Sequence, residues 1–180
     1  MWVKEDPLGA EFADVDISRG RLTAAGYAIG SHPSGYRLDY KLETLGNYVT
    51  SGLLVTARGE GWRRKLDLRR LRSGRWTGAD GLADVAGALD CDLALSPLTN
   101  SMPVLRHGLL EGGGPIELLM AWVSVPDLRV IPSRQRYSFV RRSGDLSIIR
   151  YESSSRDFVA DLSFDQDGLC VDYPGIGRAV

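Results

Sequence analysis

Residues 36–42, YRLDYKL, place Tyr36, Leu38, Tyr40 and Leu42 on one face and Arg37, Asp39 and Lys41 on the other. A period of two is the mark of a half-buried strand, because successive side chains leave its opposite faces in turn. The beat recurs at 62–71, where Trp62, Leu66 and Leu68 oppose Arg63, Lys65, Asp67 and Arg69. It recurs again at 158–164, where Phe158, Ala160, Leu162 and Phe164 oppose Val159, Asp161 and Ser163. Residues 116–125, IELLMAWVSV, are almost continuously apolar and end at Pro126-Asp127, which suits a strand buried on both faces. RQRYSFVRR at 134–142 and DLSIIRYESS at 145–154 flank Ser143-Gly144, a hairpin turn. Asp167-Gly168 turns the chain into LCVDY at 169–173, and Pro174-Gly175 stops that strand.

Glycines punctuate these segments at Gly20, Gly30, Gly35, Gly46, Gly61, Gly74, Gly144 and Gly168, the rhythm of an antiparallel meander. Residues 79–88, ADGLADVAGA, predict one short helix, with Asp80 placed to cap it and Leu82, Val85 and Ala86 on a shared face. Residues 101–108 are a second helical candidate, with Thr99 and Asn100 placed to cap it. The sum is about eleven strands with one or two short helices, an all-β, mainly antiparallel domain over residues 1–180. More than ~10 twisted strands curl or split rather than stay open. A barrel, a half-barrel, a roll or a sandwich follows, and a curled sheet has a concave face able to hold a ligand.

A hydrophobic share of 43% against 25% charged residues is ordinary for a globular chain, and the net charge of −1 argues against nucleic acid as a partner. The opening residues MWVKEDPLGAE contain no apolar leader, and no apolar run reaches the ~20 residues of a membrane span. A cytoplasmic protein is expected. Cys91 and Cys170 are either small buried hydrophobes or a single bridge.

The chemistry concentrates in residues 89–110, LDCDLALSPLTNSMPVLRHGLL. On a strand, Asp90 and Asp92 share a face, where they could share a proton, hold a hard cation, or hydrogen-bond a neighbouring strand or an arginine around an inward Cys91. Ser96 and Ser101 lie near His107 without a G-x-S-x-G elbow, and Cys91 with His107 could form a thiolate pair if the fold brings them into contact. A small hydrolase built on Cys91/His107 or Asp90/Asp92 is therefore an alternative class. Asp165-Gln166-Asp167-Gly168 resembles the start of a calcium loop, yet its twelfth position is Ile176, so a hairpin turn accounts for it. The basic run 61–76, with Trp62 and Trp76, could line a groove for single-stranded nucleic acid, although alternating Leu66 and Leu68 fit a solvated strand face. No cofactor motif accompanies these residues.

LDCDLALSPLTNSMPVLR at 89–106, AWVSVPDLRV at 121–130, RQRYSF at 134–139, IRYES at 149–153 and FVADLSFDQDGLCVDYPG at 158–175 follow the order of blocks in a known family. Together with YRLDYKLET at 36–44, they make the chain resemble the glycolipid-binding family over nearly its whole length. The resemblance implies a curled sheet, spiral β-roll or incomplete barrel around a short helical insertion, similar in shape to bacterial lipoprotein carriers. It also implies a glycolipid or other amphipathic ligand in the concave face. Asp92, Ser96, Thr99, Asn100 and Arg106 are then candidates for the head group. Leu98, Leu118, Trp122 and Tyr137 are candidates for the apolar part or the sugar face.

Overall fold

The computed structural model describes residues 1–180 as one continuous fourteen-stranded sheet. Strands β1 (Trp2–Glu5), β2 (Leu8–Ser18), β3 (Arg21–Gly30), β4 (Tyr36–Thr44), β5 (Thr50–Gly59), β6 (Trp62–Arg70) and β7 (Trp76–Thr77) form one arm in chain order. The other arm runs from β8 (Asp90–Leu93) through β9 (Ile116–Val123), β10 (Val130–Ser143), β11 (Leu146–Ser153), β12 (Phe158–Phe164) and β13 (Cys170–Tyr173) to β14 (Gly177–Ala179). Trp2 opposite Ala179 and Val3 opposite Arg178 join the arms in an antiparallel seam between β1 and β14. Every pairing is antiparallel except β8 with β9. The Trp2 indole N–H reinforces the seam by donating to the Cys170 carbonyl at 2.6 Å.

The curled sheet agrees with the sequence pattern, but the strand count exceeds the expected eleven. Several strands are only two to four residues long, among them β1, β7 and β14, too short for alternation to register. Within 79–88 the chain forms a 3-10 turn at Leu82–Val85, not an α-helix. Gly81 enters that turn in the left-handed region and no side chain caps it, so Asp80 has no capping role. The one α-helix, α1 (Ser101–Arg106), lies where 101–108 predicted it, again without a side-chain cap from Thr99 or Asn100. Gly144 supplies the positive φ of the β10–β11 hairpin, in which Ser143 faces Leu146.

The burial pattern explains the curl. Leu22, Leu38, Leu42, Leu53, Val55, Leu66 and Leu68 of β3–β6 share one core with Cys91, Leu93, Ala121 and Val123 of β8 and β9. One face of β8–β9 is thus wrapped by the first arm, which makes the sheet a spiral. Thr50, at the start of β5, pins β8: its N–H donates to Leu89 O at 3.0 Å, and its hydroxyl oxygen accepts the Cys91 N–H at 3.1 Å. The opposite face of this arm builds a second core around Tyr137, Ile149, Tyr151, Leu162 and Phe164. Helix α1 and its flanks bridge both cores, with Leu98 and Met102 in the first and Val104 and Leu109 in the second. Close packing requires glycine at Gly26, where any Cβ would overlap the Tyr40 ring on the neighbouring strand. That ring is held in place by its hydroxyl, so it has no room to yield.

Candidate functional site

Successive residues of β8 leave opposite faces, so Cys91 and Leu93 enter the wrapped core while Asp90 and Asp92 face the second arm. Asp92 is buried and becomes a hydrogen-bond hub. It accepts from Gln135 Nε2 at 2.6 Å and from the Thr99 hydroxyl at 2.9 Å. Gln135 Nε2 also donates to Ser133 Oγ at 3.3 Å. The Tyr137 hydroxyl lies 2.9 Å from both Gln135 Oε1 and Asn100 Oδ1, and its single proton serves one of them at a time. Asn100 Nδ2 donates to Pro97 O at 3.2 Å, which closes the 3-10 turn at Leu98–Asn100. The whole network is buried and satisfied, as a polar group in a protein interior must be.

Arg156, from a short 3-10 turn after β11, reaches over this hub. Its guanidinium donates to the Tyr151 hydroxyl, stands 4.0 Å from Asp92 Oδ2, and lies 5.0 Å above the Trp122 ring. Burial pushes the Tyr151 phenol up to about 12 and holds Tyr137 and Tyr173 well above their ordinary range, so all three stay protonated donors. Tyr151 packs edge-on against Tyr137 at 5.2 Å and Tyr173 at 5.8 Å. A pocket of about 190 Å³ opens here, walled by Trp122, Phe158, Tyr173 and Ile176, with Asp92 and Arg156 exposing polar atoms to it. That is below the ~300–1,000 Å³ of drug-sized sites, so it has room for a ring or a short chain segment. A larger groove of about 510 Å³ lies beside it, lined by Leu118 and by the solvated charges of Glu117, Arg136 and Glu152. Those charges pair across the sheet, Arg136 with Glu152 at 3.5 Å, and Gln135 is the one member of the buried Asp92 network that lines that groove.

A second buried hub holds the far side of the connecting loop. Glu11 accepts from the Tyr40 hydroxyl at 2.7 Å, from Ser96 Oγ at 2.6 Å and from Lys4 Nζ at 3.4 Å. Lys4 also donates to the carbonyl of Leu95, a residue held at φ 63° in the left-handed region. Burial lowers the Lys4 pKa, and the adjacent Glu11 carboxylate counters part of that shift.

Five residues expected from sequence therefore converge: Asp92, Thr99, Asn100, Trp122 and Tyr137. Ser96 borders the pocket, but its hydroxyl is bound to Glu11. Leu98 is fully buried in the wrapped core, and Leu118 lines the neighbouring groove. Arg106 is not at the pocket either: its guanidinium forms a two-pronged pair with Asp90, with side chains only 3% and 1% exposed. Gln135, Arg156, Phe158, Tyr173 and Glu11 belong to the site without having been expected. Gln135 and Glu11 left a trace, since each occupies an inward position of an alternating strand. Arg156 left none.

Cys91 and His107 have separate partners. The Thr50 hydroxyl donates to Cys91 Sγ at 3.7 Å, while Arg106 Nε donates to His107 Nε2 at 3.4 Å. Asp90 and Asp92 are likewise committed to different partners, and no group of three His, Cys, Asp or Glu side chains converges on one point. Both cysteines are buried and free, which removes the bridge considered for them. Burial pushes the Cys91 thiol from its ordinary 9.0 up to about 12 and raises Cys170 similarly. Neither thiol should react with iodoacetamide in the native protein at mildly alkaline pH, and both should react once denaturant is added. Fast labelling of the native chain would overturn this placement. The native thiol keeps a proton that the unfolded chain loses above 9.0, so Cys91's contribution to stability is intact below that pH and is lost as the pH rises toward about 12.

The sequence model of the family described as "Putative glycolipid-binding" matches residues 1–179. Among solved structures, a DUF1089 family protein from Pseudomonas aeruginosa is similar over the same fold, with a TM-score of 0.77 and 27% identity, covering 95% of this chain and 92% of that one. No curated protein matches the chain. No helix is long and apolar enough to cross a membrane.

Proposed function

The chain belongs to the family described as "Putative glycolipid-binding", and from that premise we propose that it binds a glycolipid or another amphipathic lipid on the inner face of the curled sheet. The ligand's head-group ring sits in the pocket between Asp92, Arg156 and Trp122. The supporting observation is the pairing of chemistries at that point. A buried carboxylate and a partly exposed guanidinium face one opening whose walls are Trp122, Phe158 and Tyr173. Sugar hydroxyls need charge-assisted donors and acceptors, and the apolar face of a pyranose needs a flat aromatic wall. The volume suits the ring alone, so the acyl chain leaves along the apolar side of the mouth, past Ile176 and Leu95.

A short-chain alkyl glucoside, used below its micelle concentration, is the probe in isothermal titration calorimetry. Arg156→Ala and Trp122→Ala should each weaken binding by ~1–2 kcal/mol, about tenfold, while the melting temperature stays close to that of the wild type. If no alkyl glycoside binds, or if both variants bind as the wild type does, this reading is wrong.

A further inference from the structure

We propose that one end of the outer face of β1–β6, the part that carries Ile29 and Arg37, docks on an anionic lipid bilayer. Directly opposed residues share a face of a sheet, and the register places Val3, Ala10, Ile29, Arg37, Arg58 and Arg63 in one row across six strands. The adjoining row carries Phe12 and Tyr27, then Asp39, Thr56 and Lys65. One half of the surface is therefore apolar and open to solvent: Phe12 is 48% exposed, Tyr27 62%, Ile29 59% and Leu8 67%. Single exposed apolar residues are ordinary, but a contiguous aromatic and aliphatic patch marks a contact surface.

The other half carries three arginines in consecutive cross-strand positions. Like charges directly opposed repel, yet none of the ten ion pairs in the molecule uses Arg37, Arg58 or Arg63. Arg58 Nε and Asp39 Oδ2 are each buried with no hydrogen-bond partner, and Asp39 is the only carboxylate in these two rows. These two rows carry Arg37, Arg58, Arg63 and Lys65 against the single carboxylate of Asp39, so a second copy meeting this part of the face would bring more cations than carboxylates to the contact. A phosphate-rich surface with an apolar interior supplies both complements at once, anions for the arginine row and hydrocarbon for Phe12, Tyr27 and Ile29. The face is opposite to the one that packs against the core, so docking leaves the head-group pocket free.

The test is flotation of the full chain with vesicles of phosphatidylcholine alone and of phosphatidylcholine mixed with phosphatidylglycerol. Neither contains a glycolipid, so the result is independent of the ligand proposed above. The wild type should float with the anionic vesicles only, and raised salt should release it. The triple variant Arg37→Gln, Arg58→Gln, Arg63→Gln should bind ~fivefold more weakly per arginine removed. The charge-retaining triple variant with lysine at these positions should float as the wild type does. Tyr27→Ser with Ile29→Ser should lose binding while keeping the native circular dichroism spectrum. Equal flotation with neutral vesicles, no flotation, or unaltered binding by the glutamine variant would overturn the proposal. So would a concentration-dependent dimer that the Tyr27→Ser, Ile29→Ser variant abolishes, because a second copy would then cover the face.

Discussion

Arg106→Ala should destabilise the protein by ~3–5 kcal/mol, the usual consequence of leaving one member of a buried ion pair alone. Both prongs of the guanidinium end on Asp90, and neither side chain has meaningful access to water. Burial raises the Asp90 pKa, and Arg106 is the largest influence holding it down. The sign of the pH dependence follows. An acid whose native pKa lies above the unfolded value adds stability in its protonated form, fully present below the ordinary 3.8 and lost as pH rises through the native pKa. Removing Arg106 raises that native pKa further. The loss measured by urea unfolding should therefore be largest near neutral pH and shrink in acid, where the stranded carboxyl is neutral. Replacing both partners together, Asp90→Leu with Arg106→Met, should recover much of it. If Arg106→Ala is as stable as the wild type but loses the alkyl glucoside, the arginine serves the ligand and not the fold.

Glu11→Ala should have a comparable effect, ~3–5 kcal/mol, for a different set of reasons. It strands the Lys4 ammonium, removes the acceptor for the Tyr40 and Ser96 hydroxyls, and leaves Leu95 in a left-handed conformation with less to hold it. Glu11→Gln keeps the shape and an acceptor oxygen, and should cost less. The loop at 94–96 borders the pocket, so its backbone amides should exchange faster in Glu11→Ala even at temperatures where the variant is folded. A variant that melts within the ordinary range of a surface substitution, about 0.5 kcal/mol from the wild type, would show that the hub contributes little.

The alternating faces were readable residue by residue. Tyr36, Leu38, Tyr40 and Leu42 are all buried, and the charges between them face outward or sit at the boundary. The same is true of Leu66 and Leu68 against Arg63, Lys65, Asp67 and Arg69. Period two shows which face is inward without showing what packs there. That is why the wrapping of β8–β9 inside the first arm could not be read from the chain. The same gap misplaced Leu98 and Arg106. A segment such as Ser96-Pro97-Leu98-Thr99-Asn100 has the composition of a surface turn, but Asp92, Tyr137 and Glu11 satisfy its polar atoms and allow it to be buried. Arg156 reaches the pocket only because the β11–β12 connection folds back over β10, and a single arginine in a Ser-rich turn carries no local sign of that.

The seam between β1 and β14 has a consequence for how the chain reaches this structure. Every other pairing in the sheet joins strands that follow one another in sequence, so each arm can assemble by growth from a neighbour. Trp2 and Ala179 must instead find each other across nearly the whole chain. The loop-closure entropy of that encounter is repaid only after both arms present their pairing strands. Topology therefore predicts an order of assembly: strand pairing within each arm precedes closure of the seam, and the spiral is completed when the Trp2 indole reaches the Cys170 carbonyl.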